Sequence, residues 1–153
     1  MESVLRHVRK RSVAAAFAAA VLLTVGTPGT ASAVYPGVPE WYSQAEVHLA
    51  NTTKFMQAAV EAIEANDVNA LKSACSAVHD EQTIGLQAHL PTPDPALTTA
   101  LQSEINDFHT AMHLCMALGP NSTPEELERA DAFAHRAIED LRAVNDILVD
   151  DLS

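Results

Sequence analysis

Basic residues are scarce in this chain. Lysine and arginine together number 9 against 20 aspartates and glutamates, which gives a formal charge of −11 at pH 7. The first 33 residues hold four of the bases and one of the acids, so residues 34–153 carry five bases against 19 acids and a formal charge of −14. Phosphate backbones and anionic lipid headgroups repel such a chain. The shortage of positive charge therefore excludes nucleic acid as a partner.

Glycine is also scarce, and the sequence motifs of common enzyme classes are missing. Only Gly37, Gly85 and Gly119 follow residue 33, so the chain offers no glycine-rich loop that would hold a phosphate. It contains no G-x-S-x-G nucleophile elbow. Neither a HExxH motif nor the Glu-x-x-His pattern of di-iron bundles occurs. The sequence therefore predicts a protein that is not an enzyme and has no catalytic residues.

The N-terminal residues have the pattern of a secretory signal peptide. A start with four basic residues is followed by an apolar run at 13–25, a Gly/Pro-containing break and the small residues of an Ala-Ser-Ala site. We predict cleavage between Ala33 and Val34, so that residues 1–33 are the signal peptide and 34–153 a single domain.

A transmembrane anchor is the alternative interpretation of the apolar run. The run has about a dozen residues, whereas a membrane-spanning helix needs about 20. We therefore expect no integral membrane segment after cleavage. The predicted location is the cell envelope or the extracellular space.

The two cysteines, Cys75 and Cys115, both lie in the predicted exported part. Two thiols in an oxidising compartment favour one disulfide. The loop that it closes has about 40 residues, for which the chain-entropy estimate is about 4 kcal/mol. A metal-binding thiolate pair is the alternative, but neither cysteine has a CxxC context.

Four stretches carry apolar residues at helical spacing, separated by residues that cap or break helices. Asp67 and Asp94 are predicted helix caps, and Thr123 with Glu126 has the spacing of a capping box. The predicted helices cover about residues 41–65, 68–89, 95–118 and 123–150. Short connections between amphipathic helices predict an all-α fold, an antiparallel up-down-up-down four-helix bundle. In that arrangement Cys75 and Cys115 lie near the same end.

Histidine is the one chemically unusual component, with six histidines after residue 33. His109 and His113 are four residues apart, which places both imidazoles on one helix face. His79 occupies the corresponding flank of the second helix. If these flanks met, the three rings would converge on a metal ion or a haem iron. Solvated histidines without a ligand are the favoured interpretation, with metal or haem binding and pH sensing as alternatives.

Several polar residues are predicted to face inward. His48 and His89 are expected to be neutral, hydrogen-bonded residues within the packing. Thr52, Gln82 and Asn145 also fall on inward stripes, where they would form a buried polar layer or line a small polar cavity. The carboxylates are predicted to follow the outer helix faces.

The central stretch resembles a family of small secreted helical proteins of actinobacteria. The resemblance rests on Cys75, on the sequence LPTPDPALTTAL at residues 90–101, and on Phe108 and Cys115. It covers about 45 residues and implies a proline-rich connection between two cysteine-bearing helices. It implies a compartment and a fold, and no active site.

Together these observations predict a secreted helical protein that acts by binding a protein partner or a small ligand, with no cofactor. The alternative function is a haem- or divalent-metal-binding carrier that uses His79, His109 and His113.

Overall fold

The computed structural model describes residues 35–153, most of which lie in four α-helices. The helices are α1 (Val38–Ala65), α2 (Val68–Asp80), α3 (Pro95–Ala117) and α4 (Pro124–Leu152). No strand occurs among the described residues. Successive helices pack against each other as an antiparallel four-helix bundle, which confirms the predicted fold class. The predicted signal peptide and its cleavage site between Ala33 and Val34 fall outside the described residues.

Local sequence signals set most helix ends. Asp67 accepts a hydrogen bond from the amide of Ala70 at the start of α2, and Asp94 accepts two at the start of α3. Thr123 and Glu126 form both bonds of the predicted capping box at the start of α4. The first helix begins at Val38, three residues earlier than predicted, because proline is tolerated in a first helical turn.

The second helix differs from the prediction of a continuous helix over residues 68–89. Regular α-helix ends at Asp80, and the chain continues through a π-helical turn (Glu81–Gly85) and a 3₁₀ turn (Leu86–His89). The buried side chain of Gln82 lies in the π turn and is hydrogen-bonded to α1 and α3. These tertiary contacts stabilise a local backbone conformation that helical periodicity does not indicate.

Two apolar clusters fill the bundle. The disulfide-end core contains Met56, Ala59, Ala62, Leu71, Ala74, Cys75, Val78, Phe108, Ala111, Met112, Cys115, Ala137 and Ile138. The tryptophan-end core contains Val38, Trp41, Ala45, Leu49, Leu86, Leu97, Leu101, Ile105, Val144 and Leu148. Their burial supplies the main driving force for folding.

Cys75 and Cys115 form a disulfide with a Cα–Cα distance of 6.3 Å, which confirms the predicted bridge between α2 and α3. Within residues 35–153, no helix combines the length and the apolar character needed to cross a membrane.

Candidate metal centre

Three imidazoles converge on the outer surface of α2 and α3. His79 lies in the last turn of α2, and His109 and His113 lie on α3. One ring nitrogen of each residue lies within 4.8 Å of the others, and His79 Nε2 is 3.2 Å from His109 Nδ1. We call these residues the histidine triad. The structure therefore brings together the three residues that the sequence singled out.

The helices and the disulfide position the histidine triad. The four-residue spacing of His109 and His113 places their rings on one face of α3, where they meet edge to face with centroids 4.5 Å apart. The disulfide connects the same two helices nearby: Cys75 is one helical turn before His79, and Cys115 is two residues after His113. The covalent link therefore fixes the spacing of α2 and α3 next to the triad.

His79 has polar partners that orient its ring. Its Nδ1 is 3.1 Å from Asp80 Oδ1. A carboxylate only accepts hydrogen bonds, so Nδ1 carries the proton and donates it. The lone pair of the neutral ring is then on Nε2, which accepts a hydrogen bond from His109 Nδ1 at 3.2 Å. A metal ion bound between the two nitrogens would take the place of that proton. A carboxylate on the far side of a histidine ring is typical of metal-binding histidines.

The other two rings are exposed and lie next to one another. Partial burial, followed by repulsion from His113 and His79, lowers the pKa of His109 below its ordinary value of 6.5. A lowered pKa favours the neutral imidazole, which is the form that binds metal ions.

The distances between the ring nitrogens fit one small cation. Nitrogen ligands of a tetrahedral Zn²⁺ ion are about 3.3 Å apart when each Zn–N bond is about 2.0–2.1 Å. The 3.2 Å separation of His79 and His109 is close to that value. A ring nitrogen of His113 lies within 4.8 Å of the other two, and its side chain is exposed. Three imidazoles suit Zn²⁺, Cu²⁺ or Ni²⁺.

The remaining histidines lie elsewhere. His135 is exposed on α4, where its Nδ1 is 2.9 Å from the carbonyl oxygen of Asp131. His48 and His89, which were predicted to lie within the packing, are half-buried near the edge of the tryptophan-end core. Their ring centroids are 5.4 Å apart.

A polar layer of Thr52, Gln82 and Glu104 lies inside the bundle, and all three residues are fully buried. Gln82 Nε2 donates to Thr52 Oγ1 at 3.2 Å and to Glu104 Oε1 at 2.9 Å. Along its own helix, each member stands between a residue of one apolar core and a residue of the other. The predicted layer is thus present for Thr52 and Gln82, whereas Asn145 is half-buried and outside it.

Glu104 corrects the prediction that carboxylates follow the outer faces. Burial, followed by the charge of Asp140, raises its pKa to about 8, although the hydrogen bond from Gln82 opposes the shift. The signal was present in the sequence, because Glu104 follows Leu101 by three residues and precedes Phe108 by four. Both spacings place it on the apolar stripe of α3.

Comparisons with protein-family models, with curated proteins and with solved structures return no match for this chain.

Proposed function

We propose that this protein is an exported binding protein, not an enzyme, whose ligand is a divalent transition-metal ion held by the histidine triad. The observation that carries the proposal is the convergence of three imidazole nitrogens within 4.8 Å of one another. The orienting carboxylate of Asp80 supports it, because His79 then presents Nε2 to the ion. Residues 34–153, with a formal charge of −14, also attract cations.

The proposed location agrees with the disulfide, because such bonds persist in oxidising compartments such as the cell envelope and the extracellular space. Export by the N-terminal signal peptide and membership of the actinobacterial secreted family are parts of the same proposal. They rest on the sequence patterns given above. A metal carrier, a metal buffer and a metal-dependent binding module all share the chemistry proposed here.

Haem is the second candidate ligand, but the geometry of the triad favours a bare ion. A haem iron offers at most two axial positions, on opposite faces of the porphyrin. In the structure all three nitrogens are close neighbours, with two of them only 3.2 Å apart. That arrangement leaves no room for a porphyrin ring between two of them, so at most one of the three histidines could ligate a haem iron, whereas all three can ligate a bare ion.

Calorimetric titration of the protein with Zn²⁺, and separately with hemin, tests the proposal. We expect saturable Zn²⁺ binding. The double substitution His109→Ala, His113→Ala should weaken it by more than about 100-fold, because it removes two ligands, and the loss of a group that only orients a ligand already costs about 10- to 100-fold. The single substitution Asp80→Asn should weaken binding by about 10- to 100-fold.

His135→Ala is the matched control, because this exposed histidine lies on α4 outside the triad and its loss should leave Zn²⁺ affinity unchanged. Zn²⁺ binding that survives unaltered in the double variant would overturn the assignment to the triad. Stoichiometric binding of hemin that depends on His109 and His113, without Zn²⁺ binding, would replace the metal ion by haem.

A further inference from the structure

Two further histidines, His48 and His89, lie close together outside the triad. His48 of α1 places Nδ1 2.7 Å from Glu81 Oε2. Asn51 Nδ2 donates to the other oxygen of the same carboxylate, Glu81 Oε1, at 3.0 Å. Both oxygens of Glu81 are therefore engaged, and the carboxylate is held in a fixed orientation.

The hydrogen bond to Glu81 determines which nitrogen of His48 is available. The carboxylate accepts, so Nδ1 carries the proton. In the neutral ring the lone pair is then on Nε2, which has no hydrogen bond within the described residues. A histidine whose Nδ1–H is bound by a carboxylate, with Nε2 left to a ligand, is the common arrangement of metal-binding histidines.

The π-helical turn shapes the space for this ring. Gly85 lies directly against it, and a Cβ atom built on Gly85 would be 2.8 Å from both Cε1 and Cγ of His48. Any other residue at position 85 would displace the imidazole. The π turn thus supplies both the carboxylate that orients His48 and the glycine that makes room for it, and π turns are frequent at functional sites.

His89 completes the arrangement at the end of the 3₁₀ turn. Its ring centroid is 5.4 Å from that of His48, with 41° between the ring planes. Two adjacent imidazoles on one ion place their ring centres about 4.5 Å apart in tetragonal geometry and about 5 Å apart in tetrahedral geometry, given metal–nitrogen bonds of about 2.0–2.1 Å. The observed 5.4 Å is slightly wider than both, so the two rings would move together on binding. Trp41 Nε1 donates to the backbone carbonyl of His89 at 2.6 Å, which anchors this end of the chain to α1.

We propose that His48 and His89 form a second transition-metal site, independent of the triad, in which Glu81 is the positioning residue for His48. We call these two histidines the histidine pair. Two imidazoles leave the other coordination positions to water or to a donor group of an incoming ligand. Such a nitrogen-and-oxygen set suits Cu²⁺ above the other divalent ions.

The test uses Cu²⁺ as the probe and the variant His109→Ala, His113→Ala as the background, so that the triad does not contribute. We expect this variant to bind one equivalent of Cu²⁺, with an electron paramagnetic resonance spectrum that shows coupling to imidazole nitrogen. Adding His48→Ala and His89→Ala should abolish that signal. Glu81→Gln should lower Cu²⁺ affinity by about 10- to 100-fold while both ligands remain.

The outcomes separate this site from the proposed function. If the background variant binds no Cu²⁺ while the wild type binds one equivalent, the histidine pair is overturned and the triad stands. If the background variant binds the same amount of Cu²⁺ as the wild type does, and only the loss of His48 and His89 removes that binding, the triad is overturned and the pair stands. Both sites are supported if the wild type binds two equivalents, the background variant binds one, and a His48→Ala, His89→Ala variant that keeps the triad also binds one.

Gly85→Ala gives a second test that keeps every ligand and charge. The added methyl group displaces the His48 ring, so Cu²⁺ binding in the background variant should fall as much as with Glu81→Gln. Circular dichroism verifies that this variant is folded. A folded Gly85→Ala variant with unchanged Cu²⁺ affinity would contradict the geometry on which the proposal rests.

Discussion

The two ends of the bundle interior are built differently. The disulfide-end core is apolar throughout and contains the one covalent crosslink, Cys75–Cys115. The tryptophan-end core lies between two sets of buried polar groups: the polar layer, which separates it from the disulfide-end core, and the carboxyls of Asp94 and Asp151. The first end is held by apolar burial and a covalent bond, neither of which titrates. The second end depends on where its carboxyl protons are.

The largest expected effect is a loss of stability at the polar layer as the pH rises. The folded-state pKa of Glu104, about 8, is above its ordinary value of 4.5. Between these values the folded protein keeps a proton that the unfolded chain has lost, so stability falls by up to about 1.4 kcal/mol per pH unit. The stability contributed by the proton on Glu104 is fully present below pH 4.5 and is lost above pH 8.

Glu104→Gln isolates that contribution. A glutamine keeps the shape, accepts the bond from Gln82 and carries no ionisable proton. We expect the variant to exceed the wild type in free energy of unfolding by an amount that grows with pH, approaching about 5 kcal/mol near pH 8. Urea unfolding between pH 5 and pH 8 measures it, with the exposed Glu139→Gln as the control. A constant difference across that range would refute the assignment.

The second effect concerns the disulfide end. Replacing both Cys75 and Cys115 by alanine should lower the free energy of unfolding by about 4 kcal/mol, because a crosslink across 40 residues restricts the unfolded chain. Since the disulfide does not titrate, the loss should be the same at pH 5 and pH 8. This result would separate the two ends directly.

The same variant should weaken Zn²⁺ binding by the triad, because His79 and the α3 histidines are held together next to the disulfide. Cu²⁺ binding by the histidine pair should not change, because that pair connects α1 to the π and 3₁₀ turns. The two affinities are measured on folded variant protein, each with the other site removed. Equal weakening at both sites would contradict a local role of the disulfide.

The four helices were predictable from the sequence because their determinants are local. The apolar stripes, the caps at Asp67 and Asp94 and the capping box at Thr123 act within a few residues of the chain. The π turn was not predictable, since it depends on contacts that Gln82 makes with two other helices. Local sequence signals cannot report such contacts.

The candidate sites also combine features that are local in sequence, and therefore predictable, with features that depend on tertiary contacts. The spacing of His109 and His113 predicted a shared face, whereas the approach of His79 depends on the register of α2 against α3. The pairing of His48 with Glu81 joins residues 33 positions apart and was missed. The burial of Glu104 was readable from its place on the α3 stripe, but its charged side chain argued for the surface. Its burial is stabilised by the proton that it keeps.

The smallest effect on stability is expected at Asp94 and Asp151, on the side of the tryptophan-end core that is opposite the polar layer. Burial, followed by the charge and the hydrogen bond of Asp94, raises the pKa of Asp151 above its ordinary value of 3.8. The oxygens of Asp94 also accept the amide hydrogens of Ala96 and Leu97, and the hydrogen bond with Asp94 favours the protonated form of Asp151. As with Glu104, stability is highest when the pH is below the unfolded-state pKa, and it falls as the pH rises above that value.

Asp151→Asn supplies the donated hydrogen at every pH. In a Glu104→Gln background we expect it to stabilise the protein slightly at pH 7, to have less effect at pH 4, and to change the pH profile less than Glu104→Gln does. Urea unfolding at the two pH values measures this difference, and Asp146→Asn is the control because that carboxyl is exposed on the same helix and does not contribute to the pKa shift of Asp151. If Asp151→Asn destabilised the protein at pH 7, the buried carboxyl pair would be a source of stability at neutral pH. In that case ionisation of Asp151 would not destabilise the tryptophan end, and this part of the contrast with the disulfide end would be wrong.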